Sequence, residues 1–445
     1  MNLAGKNVLM VGMARSGLAA VEFLSARGAR VRATDSRPLA ALDPAAMALL
    51  DRLRIPFLSQ APELFETGDL IVVSPGVPLL DVPGLATSPI PVVSEVQLAA
   101  WYLRGPLIGI TGSLGKTTTT SLVGHLLRES GVPCQVGGNI GIPPIAMVES
   151  SRDDQANVLE LSSFQLATTT NLRVHIGAVL NVSENHLDWH KSMAHYVASK
   201  QRLLAHQTAE DFAVLNYDDA TCAAMSDATP AATRWFSRST ATPAGAWLQA
   251  GTIHVLGEPL LATQAVTLAG QHNLENVMAA ATIAMLAGAA RDRVATAVPT
   301  FAAVEHRLEF VSERGGVKYY NDSKATTPEA ALRAIEALDG PLFIILGGKD
   351  KGLDFSRLRE PLRHRAKAAL LVGQDAGKIA RELAGATEII RSGTIDVAVQ
   401  EAARRAVPGD IVVLAPACTS WDQFKNYEER GRFFKSAVQA LGEGS

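Results

Sequence analysis

Ile110-Thr111-Gly112-Ser113-Leu114-Gly115-Lys116-Thr117-Thr118 is the stretch on which the reading of this 445-residue chain turns. An apolar run, Leu107–Thr111, leads into a glycine loop, and the loop opens a helix expected over Thr117–Ser130. A strand, a glycine loop and a helix in succession make a phosphate cradle. Backbone N–H groups and the positive end of the helix face the anion, a lysine reaches the terminal phosphates, and a threonine hydroxyl can ligate Mg2+. The full Walker spacing is not met, because Ile110 stands where its first glycine would be. Gly112, Ser113, Leu114, Gly115, Lys116, Thr117 and Thr118 remain as the candidate phosphate loop.

The same rhythm extends outward on both sides. Upstream, Asn7–Val11, Gly17–Arg27, Arg30–Thr34 and Asp69–Val73 alternate short apolar runs with helical stretches. Their first turn, Gly12-Met13-Ala14-Arg15-Ser16-Gly17 with Asp35 beyond the next strand, resembles a dinucleotide fingerprint, but Ala14 holds its second glycine position. A tight βα turn without a ligand is the competing reading. Downstream, strands are expected at Ala156–Leu161, His175–Asn181 and Phe212–Asn216, and short antiparallel strands within Pro230–Val266. A third series follows at Lys318–Asn321, Leu342–Leu346, Ala368–Val372 and Ile411–Leu414. The expected fold is α/β in three domains: a Rossmann-like domain over 1–95, a central P-loop mononucleotide-binding parallel sheet over 96–298, and a second Rossmann-like domain over 299–445.

Composition narrows the class of function. Hydrophobic residues make up 47% and charged residues 19%, which is a folded, well-cored chain rather than a disordered one. Lys plus Arg (41) nearly balances Asp plus Glu (44), so no global field attracts nucleic acid, and an anionic ligand needs a local site. Cys134, Cys222 and Cys418 are too few and too scattered for a disulfide framework or thiolate metal site, and the cytoplasm is expected. Stretches free of charge such as 130–148 and 239–257 carry Pro and Gly, so no membrane insertion is expected.

Ligand candidates gather where strands end. Glu160 closes an apolar strand, where a carboxylate is costly unless paired or bound to metal. His186 and Asp188 follow the next strand, and Lys200 lies fourteen residues beyond His186. In the third series Asn321-Asp322-Ser323-Lys324-Ala325-Thr326, Leu346-Gly347-Gly348-Lys349-Asp350-Lys351-Gly352 and the run from Ala415 to Tyr427 follow three separate strands. Their joint occurrence suggests a small-anion site at that sheet's edge.

In this order the motifs resemble the Mur ligase family of peptidoglycan synthesis. The resemblance also rests on Gly138-Asn139-Ile140-Gly141, Leu161–Gln165, Gly270-Gln271-His272-Asn273…Asn276, His306-Arg307 and Asp422–Asn426, and it covers essentially the whole chain. Within the family these runs are similar to those of members that join glutamate to UDP-N-acetylmuramoyl-L-alanine. The resemblance implies ATP-dependent ligation through an acyl phosphate, with a related Mur-type ligase for L-glutamate or another amino acid as the alternative. It implies Lys116, His186 and Lys200 as catalytic residues, and Asn273, Asn276, Arg307 and Asp322 as nucleotide contacts beside the phosphate loop. Thr117, Glu160, His186 and Lys200 would hold two Mg2+ ions, Lys200 as its carbamate, since an ammonium cannot ligate a metal. Asp35, Ser36, Arg37, Ser74, Gly76, Asn139, Ser162 and Gln165 would hold the UDP substrate. Thr326, Lys351, Ser420 and Tyr427 would hold glutamate. A monomer is expected. One departure is Leu114, where the family usually has Asn.

Overall fold

The computed structural model describes residues 1–268, 270–302 and 304–442, and only the backbone of Asp188. The three domains each carry one sheet, and parallel pairing dominates. In the first, β1 (Asn7–Val11), β2 (Arg30–Thr34), β3 (Leu70–Val73) and β4 (Val92–Ser94) lie in the order β2-β1-β3-β4, all parallel. The second has nine strands: β5 (Leu107–Thr111), β6 (Cys134–Gly138), β7 (Ala156–Glu160), β8 (Ile176–Val179), β9 (Phe212–Asn216), β10 (Ala232–Ser237), β11 (Ala246–Gln249), β12 (Thr252–Val255) and β13 (Glu258–Ala262). Their order is β13-β12-β11-β10-β9-β8-β5-β7-β6. The third contains β14 (Glu309–Arg314), β15 (Val317–Asn321), β16 (Leu342–Gly347), β17 (Ala366–Val372), β18 (Glu388–Gly393) and β19 (Ile411–Leu414), ordered β14-β15-β19-β16-β17-β18.

Central strands such as β7 and β16 are buried along their whole length, which is why they read as continuous apolar runs rather than alternating ones. The chain leaves β5 toward β6 on one side and leaves β8 toward β9 on the other. The carboxyl ends of β5 and β8 therefore flank a topological switch point, where open α/β sheets place their ligands. The first sheet has the same device between β1 and β3.

The stretch Pro230–Val266 differs from expectation in one respect. Only β11–β12 and β12–β13 pair antiparallel, whereas β10 and β11 continue the parallel sheet. The reason is local: Gly251 and Gly257 reverse the chain with positive φ, whereas the loop between β10 and β11 crosses over. Gly245 makes that crossover fit, since a Cβ there would lie 1.8 Å from Trp235 O.

Contacts divide the chain into two compact units, residues 1–265 with 275–300, and residues 266–274 with 301–445. In the first unit the passage from β4 into the helix Glu95–Ala100 is fastened to the central domain. Ser94 N donates to Thr168 O at 3.1 Å, Ile145 N donates to Glu95 Oε1 at 2.6 Å, and Thr170 N and Asn171 N both donate to Gln97 Oε1. Apolar packing continues across this junction, with Val21 and Leu24 in one core with Ile145 and Val148. Among the described residues no helix is long and apolar enough to cross a membrane.

Candidate active site

The phosphate loop follows β5 and opens the helix Lys116–Glu129. Gly115, at its N-cap, has φ +79°, and a Cβ there would lie 2.3 Å from Asn276 Oδ1, so both conformation and space require glycine. Asn181, two residues beyond β8, grips the backbone of Leu114 from both sides: Leu114 N donates to Asn181 Oδ1 at 2.8 Å, and Asn181 Nδ2 donates to Leu114 O at 3.2 Å. The Leu114 side chain is therefore not needed to shape the loop. Ser113 Oγ lies 2.9 Å from Tyr196 OH and 3.0 Å from Ser183 O, tying the loop to the segment after β8.

Two lysines meet on this loop. Lys116 Nζ donates to Gly112 O and Ser113 O, each at 2.8 Å, and Lys200 Nζ donates to the same Gly112 O at 2.8 Å. Lys200 is 1% exposed, and Tyr196 presents its ring 4.5 Å from Nζ. Burial, reinforced by the charge of Lys116, pushes the Lys200 amine well below the ordinary lysine value. Thr117 is buried just inside the helix, and Thr119 Oγ1 donates to Asn276 Oδ1 at 3.2 Å.

Glu160 ends β7, beside the loop, and is 1% exposed. Asn139 holds it twice, with Nδ2 donating to Oε1 at 2.8 Å and the backbone N donating to Glu160 O at 2.8 Å. Ser162 and Gln165 form a capping box at the start of the helix Ser163–Ala167, and both are buried. His186 has φ +56° and packs its ring edge-on against Phe164 at 4.7 Å. The Asp188 side chain lies outside the described part.

At the first sheet's switch point, Asp35 faces inward. Its carboxylate accepts Met13 N at 2.7 Å and is clamped by Arg37 through Nε at 2.9 Å and Nη2 at 3.0 Å. Burial opposes ionisation, but the bonds from Arg37 and Met13 prevail and hold the carboxyl at about 2. Asp35 thus shapes the turn and presents Arg37. Ser74, after β3, is buried against this turn, its Cβ lying 2.9 Å from where a Gly12 Cβ would be.

The second unit has its own cluster. The loops after β15, β19 and β16 come from neighbouring strands. Arg430, 2% exposed, joins two of them, donating to Ser323 Oγ at 3.0 Å, Ser323 O at 2.7 Å and Cys418 O at 3.1 Å. Lys349 and Thr419 exchange backbone hydrogen bonds, tying in the third. Ser420 is buried and Lys351 exposed. Lys324 Nζ lies 5.3 Å from the Tyr427 ring, and Thr326 N donates to Lys324 O. Desolvation pushes the Asp322 carboxyl up to about 6, against the pull of Arg307, the Leu308 N–H and Lys324. Asn273 is buried at the start of the helix Gln271–Leu286. His306, with φ +66°, sits where any side chain on Gly431 would collide with it, and accepts Asn321 Nδ2 at 2.9 Å. Glu305, His306 and Glu309 lie close enough to hold a cation, and Lys435 Nζ already fills that role at 2.7 and 2.9 Å from the two carboxylates.

Sequence reading passed over Tyr196, His190, His195, Glu95 and Arg430. His190 closes the run that holds His186 and Asp188, but its partner Ser163 lies 27 residues away, and Tyr196, Glu95 and Arg430 likewise act on residues far along the chain. Glu95 is the clearest case: at 0% exposure its carboxyl is pushed up to about 8 by desolvation, countered by the Ile145 N–H and Arg15.

Three family descriptions match the chain in succession: Mur ligase MurD-like N-terminal domain over residues 6–88, Mur ligase middle domain over 110–284, and Mur ligase glutamate ligase domain over 306–418. A protein of Solibacter usitatus named UDP-N-acetylmuramoylalanine–D-glutamate ligase is 53% identical over 444 residues, covering 99% of both chains. Its counterpart of the same name from Acidobacterium capsulatum is 48% identical, covering 99% of this chain and 97% of the relative. Among solved structures, the UDP-N-acetylmuramate–alanine ligase MurC of Thermotoga maritima superposes with a TM-score of 0.62 at 16% identity, covering 98% of this chain and 100% of that one. MurF of the same organism, in complex with ADP, gives 0.60 at 17% identity, covering 99% and 96%.

Proposed function

The chain belongs to the Mur ligase family, and on that premise we propose that it joins D-glutamate to UDP-N-acetylmuramoyl-L-alanine at the expense of ATP, a cytoplasmic step of peptidoglycan precursor synthesis. The observation that carries this reading is the shared grip of Lys116 and Lys200 on Gly112 O beside buried Glu160. The substrate carboxylate must attack an anionic γ-phosphate, so like charges have to be neutralised and held in line. Lys116 and the loop N–H groups suit that task, and the bonds from Lys116 to carbonyls are exchangeable for bonds to phosphate oxygens. ADP leaves as the carboxylate oxygen bonds phosphorus. The glutamate amine then adds to the acyl carbon, phosphate leaves, and the nitrogen gives up one proton to leave the amide.

Oxygen donors fit a hard divalent cation, and a buried carboxylate at Glu160 is the donor such an ion prefers. Thr117, Glu160, His186 and Lys200 would hold two Mg2+ ions, which supply charge neutralisation at the transferring phosphoryl group. Lys200 fits this set only after modification. An uncharged amine is the form that reacts with CO2, burial pushes Lys200 toward that form, and the resulting carbamate is an oxygen ligand.

Arg37, presented by Asp35, with Ser36, Ser74 and Gly76, receives the UDP end. Asn139, Ser162 and Gln165 contact the middle of that substrate. Asn273, Asn276, Arg307 and Asp322 contact the nucleotide, and Thr326, Lys351, Ser420 and Tyr427 the glutamate. Domain limits at 1–95, 96–298 and 299–445 and a monomeric enzyme belong to the proposal; the last three residues of the third domain lie outside the described ones. Hydroxylamine supplied in place of glutamate tests the intermediate. An acyl phosphate yields a hydroxamate of the UDP substrate, dependent on ATP, whereas absence of the hydroxamate together with undiminished ligation would remove the intermediate from the scheme.

A further inference from the structure

We infer that Ser163 is a substrate-facing hydrogen-bond donor, oriented by His190 and His195, which serves the oxyanion that develops on the acyl carbonyl when the amine adds. The inference rests on the acyl-phosphate reading above.

His195 lies in the helix Met193–Gln201. Its Nδ1 lies 3.1 Å from His190 O and 3.2 Å from His190 Nδ1. A carbonyl oxygen can only accept, so His195 Nδ1 carries a hydrogen. His190 Nδ1, facing that same N–H, is then an acceptor. A neutral imidazole that accepts at Nδ1 bears its hydrogen at Nε2. His190 Nε2 lies 2.9 Å from Ser163 Oγ and therefore donates to it. Among the described residues this is the one partner of the Ser163 hydroxyl, and it occupies a lone pair. The hydroxyl's own hydrogen is left to point elsewhere.

The relay is held rigidly. His190 is 1% exposed, stacked on Phe164 at 5.5 Å and 8°, with Trp189 and Tyr196 packed edge-on against it at 4.5 and 5.1 Å. Ser163 is 3% exposed and stands three residues beyond Glu160 at the same strand end. Its neighbour Phe164 also carries the ring of His186. A donor fixed in a water-poor site acts where negative charge develops, and it needs no reorganisation at the moment of reaction. Ser163 is the candidate catalytic residue, while His190 and His195 are positioning residues.

The test uses Ser163→Ala, His195→Ala, His195→Asn and the Ser163→Ala/His195→Ala double variant, after wild-type ligation has been measured. Ser163→Ala should lower kcat roughly 10²-fold with the KM for ATP unchanged. His195→Ala should cost about tenfold, as supporting residues do. His195→Asn, whose side-chain N–H can stand in for Nδ1–H, should recover most of that loss. The double variant should be no slower than Ser163→Ala, since both changes disable one device. Wild-type kcat in Ser163→Ala, or losses that multiply in the double variant, would overturn the inference. If Ser163→Ala does not fold, half-buried His195 decides: Asn rescuing Ala supports the relay, and equal kcat in the two contradicts it. A wild-type enzyme that does not ligate removes the underlying reading and the inference with it, whereas a ligating wild type with indifferent variants removes the inference alone.

Discussion

The turns after β1 and β5 are built alike and charged differently. Each leaves a strand at a switch point, bends through a glycine with positive φ and opens a helix. After β1 the nearby carboxylate is consumed internally: Asp35 binds Met13 N and pairs with Arg37, so the turn and its cation approach neutrality together. After β5 the cation is Lys116, whose ammonium lies on the carbonyls of Gly112 and Ser113 at the head of a helix, while burial pushes neighbouring Lys200 toward its uncharged form. The first turn suits a ligand that is held through one oriented arginine and backbone. The second suits a highly charged anion. Similar backbone geometry therefore does not make two equal phosphate sites; the neighbouring side chains decide.

The largest effect that would sharpen this contrast is loss of the cation after β5. Lys116→Ala should reduce kcat for ligation by roughly 10²–10³-fold, while calorimetry should find affinity for the UDP substrate little changed. Near wild-type turnover would mean that the loop is structural. Lys200→Ala should fall comparably and recover in part with short-chain carboxylates that restore the oxygen ligand a carbamate supplies. Full activity without any added carboxylate would contradict that role. A smaller and opposite pattern is expected after β1. Asp35→Asn loses a charged partner for Arg37, worth about 1.5–3 kcal/mol in such bonds, so the KM for the UDP substrate should rise about tenfold or more while the KM for ATP stays. Equal effects on both would erase the distinction between the turns.

Acid and base should separate the carboxyls as well. Asp35, held at about 2, stabilises the fold above its unfolded value of 3.8, and that contribution fades as pH falls through the interval between them. Glu95 behaves in reverse. Its folded value of about 8 exceeds the unfolded 4.5, so the unfolded chain binds fewer protons and stability declines as pH rises from 4.5 to 8. Glu95→Gln keeps an acceptor for the Ile145 N–H and removes the ionisation. Its melting temperature should exceed that of wild type by a few degrees at pH 8 and converge with it near pH 4.5. A constant difference across that range would show that Glu95 is not the titrating group.

Much of the fold was legible because parallel strands buried on both faces are written as apolar runs. The helix after the phosphate loop, expected from Thr117, begins at Lys116. Strands β4, β6, β14 and β18 escaped notice because they are short, glycine-containing or partly exposed, and so lack either pattern. The candidate site was legible where chemistry is local, as in Gly115-Lys116-Thr117 and Glu160. It was not legible where geometry is made by distant partners. Asn181 holding Leu114, Arg430 joining Ser323 to Cys418, and His195 fixing the tautomer of His190 over Ser163 are all such cases. Asp35 shows the converse: the residue was conspicuous, but its partner Arg37 determines what it does.

The most direct measurement of the central claim supplies the purified protein with ATP, Mg2+ and UDP-N-acetylmuramoyl-L-alanine, adds D- or L-glutamate in parallel, and follows phosphate together with the mass of the UDP product. The account predicts one phosphate released per D-glutamate joined, with L-glutamate inert. Phosphate release indifferent to the UDP substrate, or ligation of L-glutamate in preference to D-glutamate, would contradict it.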